Sequence, residues 1–425
     1  MSITILPSPV NGDTTAPPSK SLMQRACACA LIRKGQVVIR NPGRSDDELA
    51  SIRVTGELGA RCELKDHELH IQSDGIRVSG GEIHCGESGL GVRMFTPLAA
   101  LTGREITIHG EGSLLNRPMD FFETVLPQLQ VKVSATEGKL PLRIKGPLQP
   151  GNITIDGSIS SQFLTGLLMA YSAAGAEDAS ITVHNLKSKP YTDLTLEIMK
   201  DFGLHTPENR NYETFHFGKK KTAGAPGTIT YQVEGDWSGA AFFLVAGAIA
   251  GKMTVKGINA FSKQADKAVL QALMDSGCSL SIREDQVEAA AAPLKAFHFD
   301  ATDCPDLFPP LTALAACCKG TSAINGVHRL IHKESNRALA LRETFGAMGI
   351  GIDIQDDLMI IHGGTGIRSA VVSSHHDHRI AMACAVAALK ADGPVTIEDE
   401  QAVTKSYPDF FEHLKHSQHT AHANL

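Results

Sequence analysis

Residues 14–33 read T-T-A-P-P-S-K-S-L-M-Q-R-A-C-A-C-A-L-I-R, followed by the turn Lys34-Gly35 and the β-rich run Q-V-V-I-R at 36–40. Pro17 and Pro18 make a turn that delivers Ser19, Lys20 and Ser21 to the start of a helix of small residues. Arg25 lies four residues after Ser21 and therefore on the same helical face. Two hydroxyls, an ammonium and a guanidinium at a helix N-terminus suit a phosphate or a carboxylate. Alone, the stretch reads better as an N-capped surface helix with ordinary charges. Its repetition along the chain decides the matter.

The spacing predicts helices of small and apolar residues at 25–33, 94–101, 163–173, 240–250, 308–318 and 380–389. Each ends at a turn containing glycine (Gly35, Gly103, Gly175, Gly251, Gly320 and Gly393). Short strands follow at 36–40, 105–109, 180–184, 253–256, 321–324 and 395–397. The strands recur about every 70 residues, a period longer than that of common solenoids. That leaves room in each unit for a second, amphipathic helix and more strands. Gly59, Gly203, Gly277 and Gly349 stand where such helices would close in the left-handed conformation. The second copy has Gln130 there and must close differently. The class is α/β: six βαβαββ-like units, three and three, in two similar domains that divide near Val233-Glu234-Gly235.

The totals agree with two cores. A chain of 425 residues with 42% hydrophobic and 20% charged residues reads as a globular protein. A net charge of −6 argues against general affinity for nucleic acid or anionic membrane. Any anion site must then be a local gathering of Lys and Arg. The nine cysteines form no C-x-x-C pair, as expected of reduced thiols in the cytoplasm. The longest apolar run, 240–250, is shorter than the ~20 residues a membrane helix needs. The tail 416–425 is polar and is expected to fray.

Each unit sets polar residues before its first helix and after the strand that follows. Before the helices stand Ser19-Lys20-Ser21, Glu87-Ser88-Gly89, Ser160-Ser161-Gln162, Gly235 with Asp236, Asp303 with Asp306, and Asp377-His378-Arg379. After the strands stand Ser45-Asp46-Asp47, Asn116-Arg117-Pro118, Ser188-Lys189-Pro190-Tyr191, Ser262-Lys263, Lys333 to Arg337, and Lys405-Ser406-Tyr407. Helix dipoles supply roughly 0.3–1 kcal/mol each near a surface. Charge-assisted bonds from Lys20, Arg117, Lys333, Arg337, Arg379 and Lys405 must therefore provide most of the anion affinity. Asp306 and Glu334, beside such residues, are candidates for acid–base work. Asp46-Asp47 reads as a helix cap. His375, His376 and His378 match no zinc spacing, and Arg379 beside them would repel a cation, so no metal is expected.

Taken in order, these residues resemble the 5-enolpyruvylshikimate-3-phosphate synthase family. Pro18-Ser19-Lys20-Ser21 with Arg25, Ser160-Ser161-Gln162-Phe163-Leu164, Ser188-Lys189-Pro190-Tyr191 and Val233-Glu234-Gly235-Asp236 carry the likeness. Lys333-Glu334-Ser335 with Arg337, and Asp377-His378-Arg379, complete it. The resemblance implies an inside-out α/β barrel with internal helices, and domains 1–18 with 234–425, and 19–233, flanking a substrate cleft. It implies transfer of the enolpyruvyl group of phosphoenolpyruvate to the 5-hydroxyl of shikimate 3-phosphate by a monomer, with no metal or organic cofactor. Shikimate 3-phosphate would meet Ser21, Arg25, Ser160, Ser161, Gln162, Ser188, Tyr191, Asp306 and Lys333. Phosphoenolpyruvate would meet Lys20, Arg117, Arg337, Arg379 and Lys405, Gly89 would also line the substrate site, and Lys20, Asp306 and Glu334 would move protons.

The chain departs from the family pattern at Glu87 and Arg329, both usually Asn, and at Asn336, usually Asp. Charge compensation between Glu87 and Arg329 is one expectation. The related UDP-N-acetylglucosamine enolpyruvyl transferases are the alternative, but they usually carry a reactive Cys shortly before the Arg-Pro step. Here residues 110–116 are G-E-G-S-L-L-N. A non-catalytic binder of small phosphorylated acids is the alternative of another class.

Overall fold

Six runs with apolar side chains on every face become six buried helices, because such a helix has no side to offer to water. A computed structural model of the chain describes residues 1–78, 80–219 and 227–423. The helices are Lys20–Arg33, Gly89–Ala99, Ser161–Ala174, Trp237–Ala250, Phe308–Cys317 and His378–Ala388. The first, second, third, fourth and sixth begin earlier than the apolar pattern predicts, at Lys20, Gly89, Ser161, Trp237 and His378. The reason is local. Their first turns carry Lys, Ser, Gly or Arg, so the apolar pattern starts only after the helix has begun.

The chain separates into two compact units, Pro18–Val233, and Met1–Pro17 with Glu234–Leu425. Each has its own core. Met23, Phe95, Leu98, Leu167 and Leu168 lie at the centre of the first. Phe242, Leu244, Leu311, Leu314 and Met382 lie at the centre of the second.

Around the helices of the Pro18–Val233 unit stand three sheets of one plan. Glu82–His84 runs parallel to Glu105–His109, which pairs antiparallel with Lys139–Lys145, and Lys132–Thr136 closes the edge. Ile153–Asp156, Ala179–His184, Thr214–Phe217 and Glu208–Arg210 repeat that order. A parallel first pair requires a crossover, and each crossover is a buried helix. Lys139–Lys145 alternates exposed and buried residues along its length, as a half-buried strand does. The third sheet takes its first strand from far along the chain: Ile229–Gln232 lies parallel to Gly35–Arg40, beside Glu68–Ser73 and Arg61–Lys65.

The other unit repeats the plan with two adjustments. Val10–Thr15, near the start of the chain, is the parallel first strand beside Gly251–Lys256, which continues into Gln286–Ala290 and Ser279–Ile282. The sheet of His298–Asp300, Gly320–Asn325, Leu358–Gly363 and Gly351–Gln355 is complete in itself. The sixth sheet has three strands, Ala370–Ser373, Val395–Glu398 and Ser2–Ile5, so the chain's first strand replaces the hairpin expected there.

Two local expectations resolve. Gln130 itself adopts the left-handed conformation (φ 64°) that glycine provides in the other copies, and its N–H bonds to Leu126 and Pro127. The tail does not fray through the described residues: Phe410–Ala423 is a helix. Phe410, Leu414, Ser417 and Ala421 form a buried stripe at helical spacing, and the helix packs against Val10–Thr15. Residues 424 and 425 of that expectation lie outside the described ones.

Candidate active site

In the Pro18–Val233 unit, candidate residues sit at the starts of the three buried helices. Ser19 precedes Lys20–Arg33, and the Lys20 ammonium bonds Asp47 Oδ2 at 2.8 Å. Asp47 is not the cap that its position suggests: Ser45 and Glu48 form a reciprocal capping box and leave the Asp47 carboxylate for Lys20. Arg25 is 1% exposed; its Nε donates to Thr195 Oγ1 and its Nη1 to the Ser21 carbonyl, both at 2.9 Å. Burial lowers the Arg25 guanidinium to about 10, still charged at neutral pH. The next helix starts at Gly89, capped by the Ser88 hydroxyl on the Gly91 N–H. A Cβ at Gly89 would stand 2.4 Å from Arg117 Nη1, so any side chain there would displace that buried guanidinium.

The third helix starts at Ser161, with the Ser160 hydroxyl accepting from the Gln162 N–H at 3.2 Å. That is an N-cap, and it leaves the Ser161 hydroxyl and the Gln162 side chain for other partners. Ser188 precedes Lys189–Asp201 in the left-handed region (φ 55°) while 4% exposed. A non-glycine residue held there costs of order 1–3 kcal/mol and tends to mark a functional position. Tyr191 follows in the first turn of the same helix.

In the other unit, ion pairs bring Asp306, Lys333, Glu334, Arg337 and Arg379 together. Arg337, 1% exposed, donates from Nε to Asp377 Oδ2 at 2.8 Å, from Nη1 to Asp306 at 2.7 Å and from Nη2 to Glu334 at 2.5 Å. Lys333 reaches Asp306 at 3.0 Å, and Arg379 reaches it at 3.2 Å. Burial opposes the Asp306 charge, but Arg379, Lys333 and Arg337 hold its carboxyl well below the usual carboxylate range. Burial also works against the Arg337 charge, yet Asp377, Glu334 and Asp306 raise that guanidinium on balance. The sequence motifs suggest a gathering of cations that repel one another. The fold instead places carboxylates between them, so the charges compensate within the cluster.

Asp377 organises this cluster. It is fully buried, accepts from Ser335 Oγ and the Arg379 N–H at 3.0 Å, and so caps His378–Ala388 while gripping Arg337. His375 and His376, both left-handed (φ 52° and 55°), turn the chain into that cap. Lys405 is buried at the end of Glu400–Lys405, which packs against the helix carrying Arg379. A further acid is Asp266, 1% exposed and accepting from the Ser238 hydroxyl. Burial, then the charge of Asp306, pushes its carboxyl up to about 6.

The departures from the family pattern find partners inside their own units. Glu87 accepts from the Ser113 hydroxyl and N–H at 3.0 and 3.2 Å, bracing the turn Gly112–Asn116 that leads into Arg117. Arg329 is lowered by burial, opposed by Asp303, Asp306 and Asp357. Asn336 keeps the capping role of an Asp, accepting from the Leu339 N–H. Among the described residues, no group of three or more His, Cys, Asp or Glu is arranged to hold a metal ion. Nor, among them, is any helix long and apolar enough to cross a membrane.

The family described as EPSP synthase (3-phosphoshikimate 1-carboxyvinyltransferase) matches residues 6–414. A 3-phosphoshikimate 1-carboxyvinyltransferase of Clostridium novyi is 35% identical over 420 residues, covering 96% of this chain and 95% of the relative. One of Thermococcus kodakarensis is 38% identical over 406 residues, covering 96% and 97%. The solved EPSP synthase of Acinetobacter baumannii superposes with a TM-score of 0.81 at 26% identity, covering 98% of each chain.

Proposed function

The chain belongs to the EPSP synthase family, and from that membership we propose a division of labour among its own side chains. Its reaction is transfer of the enolpyruvyl group of phosphoenolpyruvate to the 5-hydroxyl of shikimate 3-phosphate, with release of phosphate, on the route to aromatic amino acids. That closes the two alternatives, a nucleotide-sugar acceptor and a non-catalytic binder.

The chemistry sets the requirements. The methylene carbon of phosphoenolpyruvate gains a proton while the 5-hydroxyl oxygen bonds to the adjacent carbon and loses its own. In the tetrahedral intermediate the carbon–oxygen bond to phosphate then breaks, phosphate leaves with the electron pair, and the new methyl group returns a proton. Ser21, Arg25, Ser160, Ser161, Gln162, Ser188 and Tyr191 bind shikimate 3-phosphate, joined by Asp306 and Lys333. Lys20, Gly89, Arg117, Arg337, Arg379 and Lys405 bind phosphoenolpyruvate and stabilise the leaving phosphate.

The ion-pair cluster around Asp306 carries the acid–base reading. An anion that draws Arg379 and Lys333 toward itself weakens their hold on Asp306 and makes that carboxylate more basic. Asp306 then takes the 5-hydroxyl proton. Glu334, oriented by Arg337, exchanges the proton of the methylene carbon, and Lys20, held by Asp47, supports the departing phosphate.

Steady-state kinetics test the assignment. Arg25→Met is expected to raise KM for shikimate 3-phosphate about tenfold or more, and Arg379→Met to do so for phosphoenolpyruvate. Equal effects of both variants on one substrate would contradict the division. We also infer a monomer in the cytoplasm. The nine unpaired cysteines support a reducing setting, and sedimentation at twice the mass of one chain would overturn the monomer.

A further inference from the structure

Arg93 has no part in the assignments above, yet its surroundings are built around it. It lies on the Gly89–Ala99 helix, 4% exposed, and its Nη1 donates to Gln162 Oε1 at 2.8 Å. Its guanidinium lies over the ring of Phe163, 4.9 Å from the centroid. Phe121 stacks on Phe163 at 4.1 Å and Phe122 meets it edge-on at 5.2 Å, so the ring is held in place under the cation. The helix crossing is equally specific. A Cβ at Gly166 would stand 2.5 Å from the Arg93 carbonyl oxygen. Gly166 lies one turn after Gln162 on the same face. The close approach that glycine permits is what brings Arg93 and Gln162 within bonding distance.

A guanidinium has only donors. The amide oxygen of Gln162 must therefore face Arg93, and its NH2 group is turned the other way. We propose that Arg93 is a positioning residue that locks the Gln162 amide, so that it offers N–H donors to an oxygen of shikimate 3-phosphate. The proposal rests on Gln162 being a ligand of that substrate. The Ser160 hydroxyl on the Gln162 backbone N–H fixes the other end of the residue. A flipped amide would set its oxygen against the substrate's oxygens, with repulsion in place of a hydrogen bond.

A double-mutant cycle with a KM-against-kcat reading tests this. Arg93→Met fills the volume over Phe163 without a donor. It is expected to raise KM for shikimate 3-phosphate about tenfold, with kcat and KM for phosphoenolpyruvate within about threefold. Arg93→Lys, which keeps a donor and a charge, restores most of the affinity. In a Gln162→Ala background, Arg93→Met adds nothing. An equal increase in that background would overturn the positioning role, whereas an unchanged KM in Gln162→Ala itself would remove Gln162 as a ligand. Gln162→Glu decides the case where Arg93→Met does not fold: the new carboxylate still accepts from Arg93 but has no N–H to offer. A raised KM with an unchanged melting temperature supports the proposal; a wild-type KM contradicts it.

Discussion

Replacing Glu334 by Gln is expected to lower kcat about 10²–10⁴-fold while both KM values stay within a few-fold. Gln keeps the size of Glu and an oxygen that accepts from Arg337 Nη2, so the 2.5 Å contact has a neutral replacement. What it loses is the ability to gain and release a proton. If Glu334 exchanges the methylene proton, the loss falls on turnover and not on binding. Steady-state rates with each substrate saturating measure this, beside a titration of shikimate 3-phosphate affinity. Lost binding with turnover kept at saturation would assign Glu334 to ligand orientation instead.

Arg337→Met is expected to have the largest effect on the fold, lowering stability by about 3–5 kcal/mol. The buried guanidinium touches Asp306, Glu334 and Asp377, and Met would leave those carboxylates without their shared cation. The loss depends on pH, with a definite sign. The Asp306 carboxyl is held well below its usual range, so its stabilising contribution is complete above the unfolded value near 4 and is lost as pH falls through the folded one. Removing Arg337 deletes part of that contribution. The difference in unfolding free energy between wild type and variant should therefore be widest near neutral pH and narrow below about pH 4. Denaturant titrations across that range measure it. A difference that grew on acidification would show that Arg337 is not compensating these carboxylates.

The repeated unit is legible because its signals are local: an apolar run, a glycine turn and a β-rich strand fall within some twenty residues of one another. The first turns of the helices are not, since Lys20, Ser21 and Gly89 interrupt the apolar pattern at the positions that matter for function. The final helix is hidden in the same way, its stripe of Phe410, Leu414, Ser417 and Ala421 diluted by histidines. Motifs locate Lys20, Arg25, Glu334 and Arg337, but not what holds them. Asp47 lies 27 residues from Lys20, Asp377 lies 40 from Arg337, and Arg93 lies 69 from Gln162. Such pairs exist only once the helices pack. One signal for Asp47 is present: Ser45 and Glu48 satisfy the capping box, so the carboxylate between them is not needed as the cap.

The replacement of family Asn by Glu87 gains a local reason from the fold. Its carboxylate is taken up by Ser113 at the turn before Arg117, so the extra negative charge acts on the path of the chain there. Arg329 is likewise accounted for by the aspartates around it.

The most direct test of the account is phosphate release by the purified protein given phosphoenolpyruvate with and without shikimate 3-phosphate. Release that requires both substrates, and that falls about 10²–10⁴-fold in Glu334→Gln, is the predicted result. Release from phosphoenolpyruvate alone, or none from protein that binds both substrates, would contradict it.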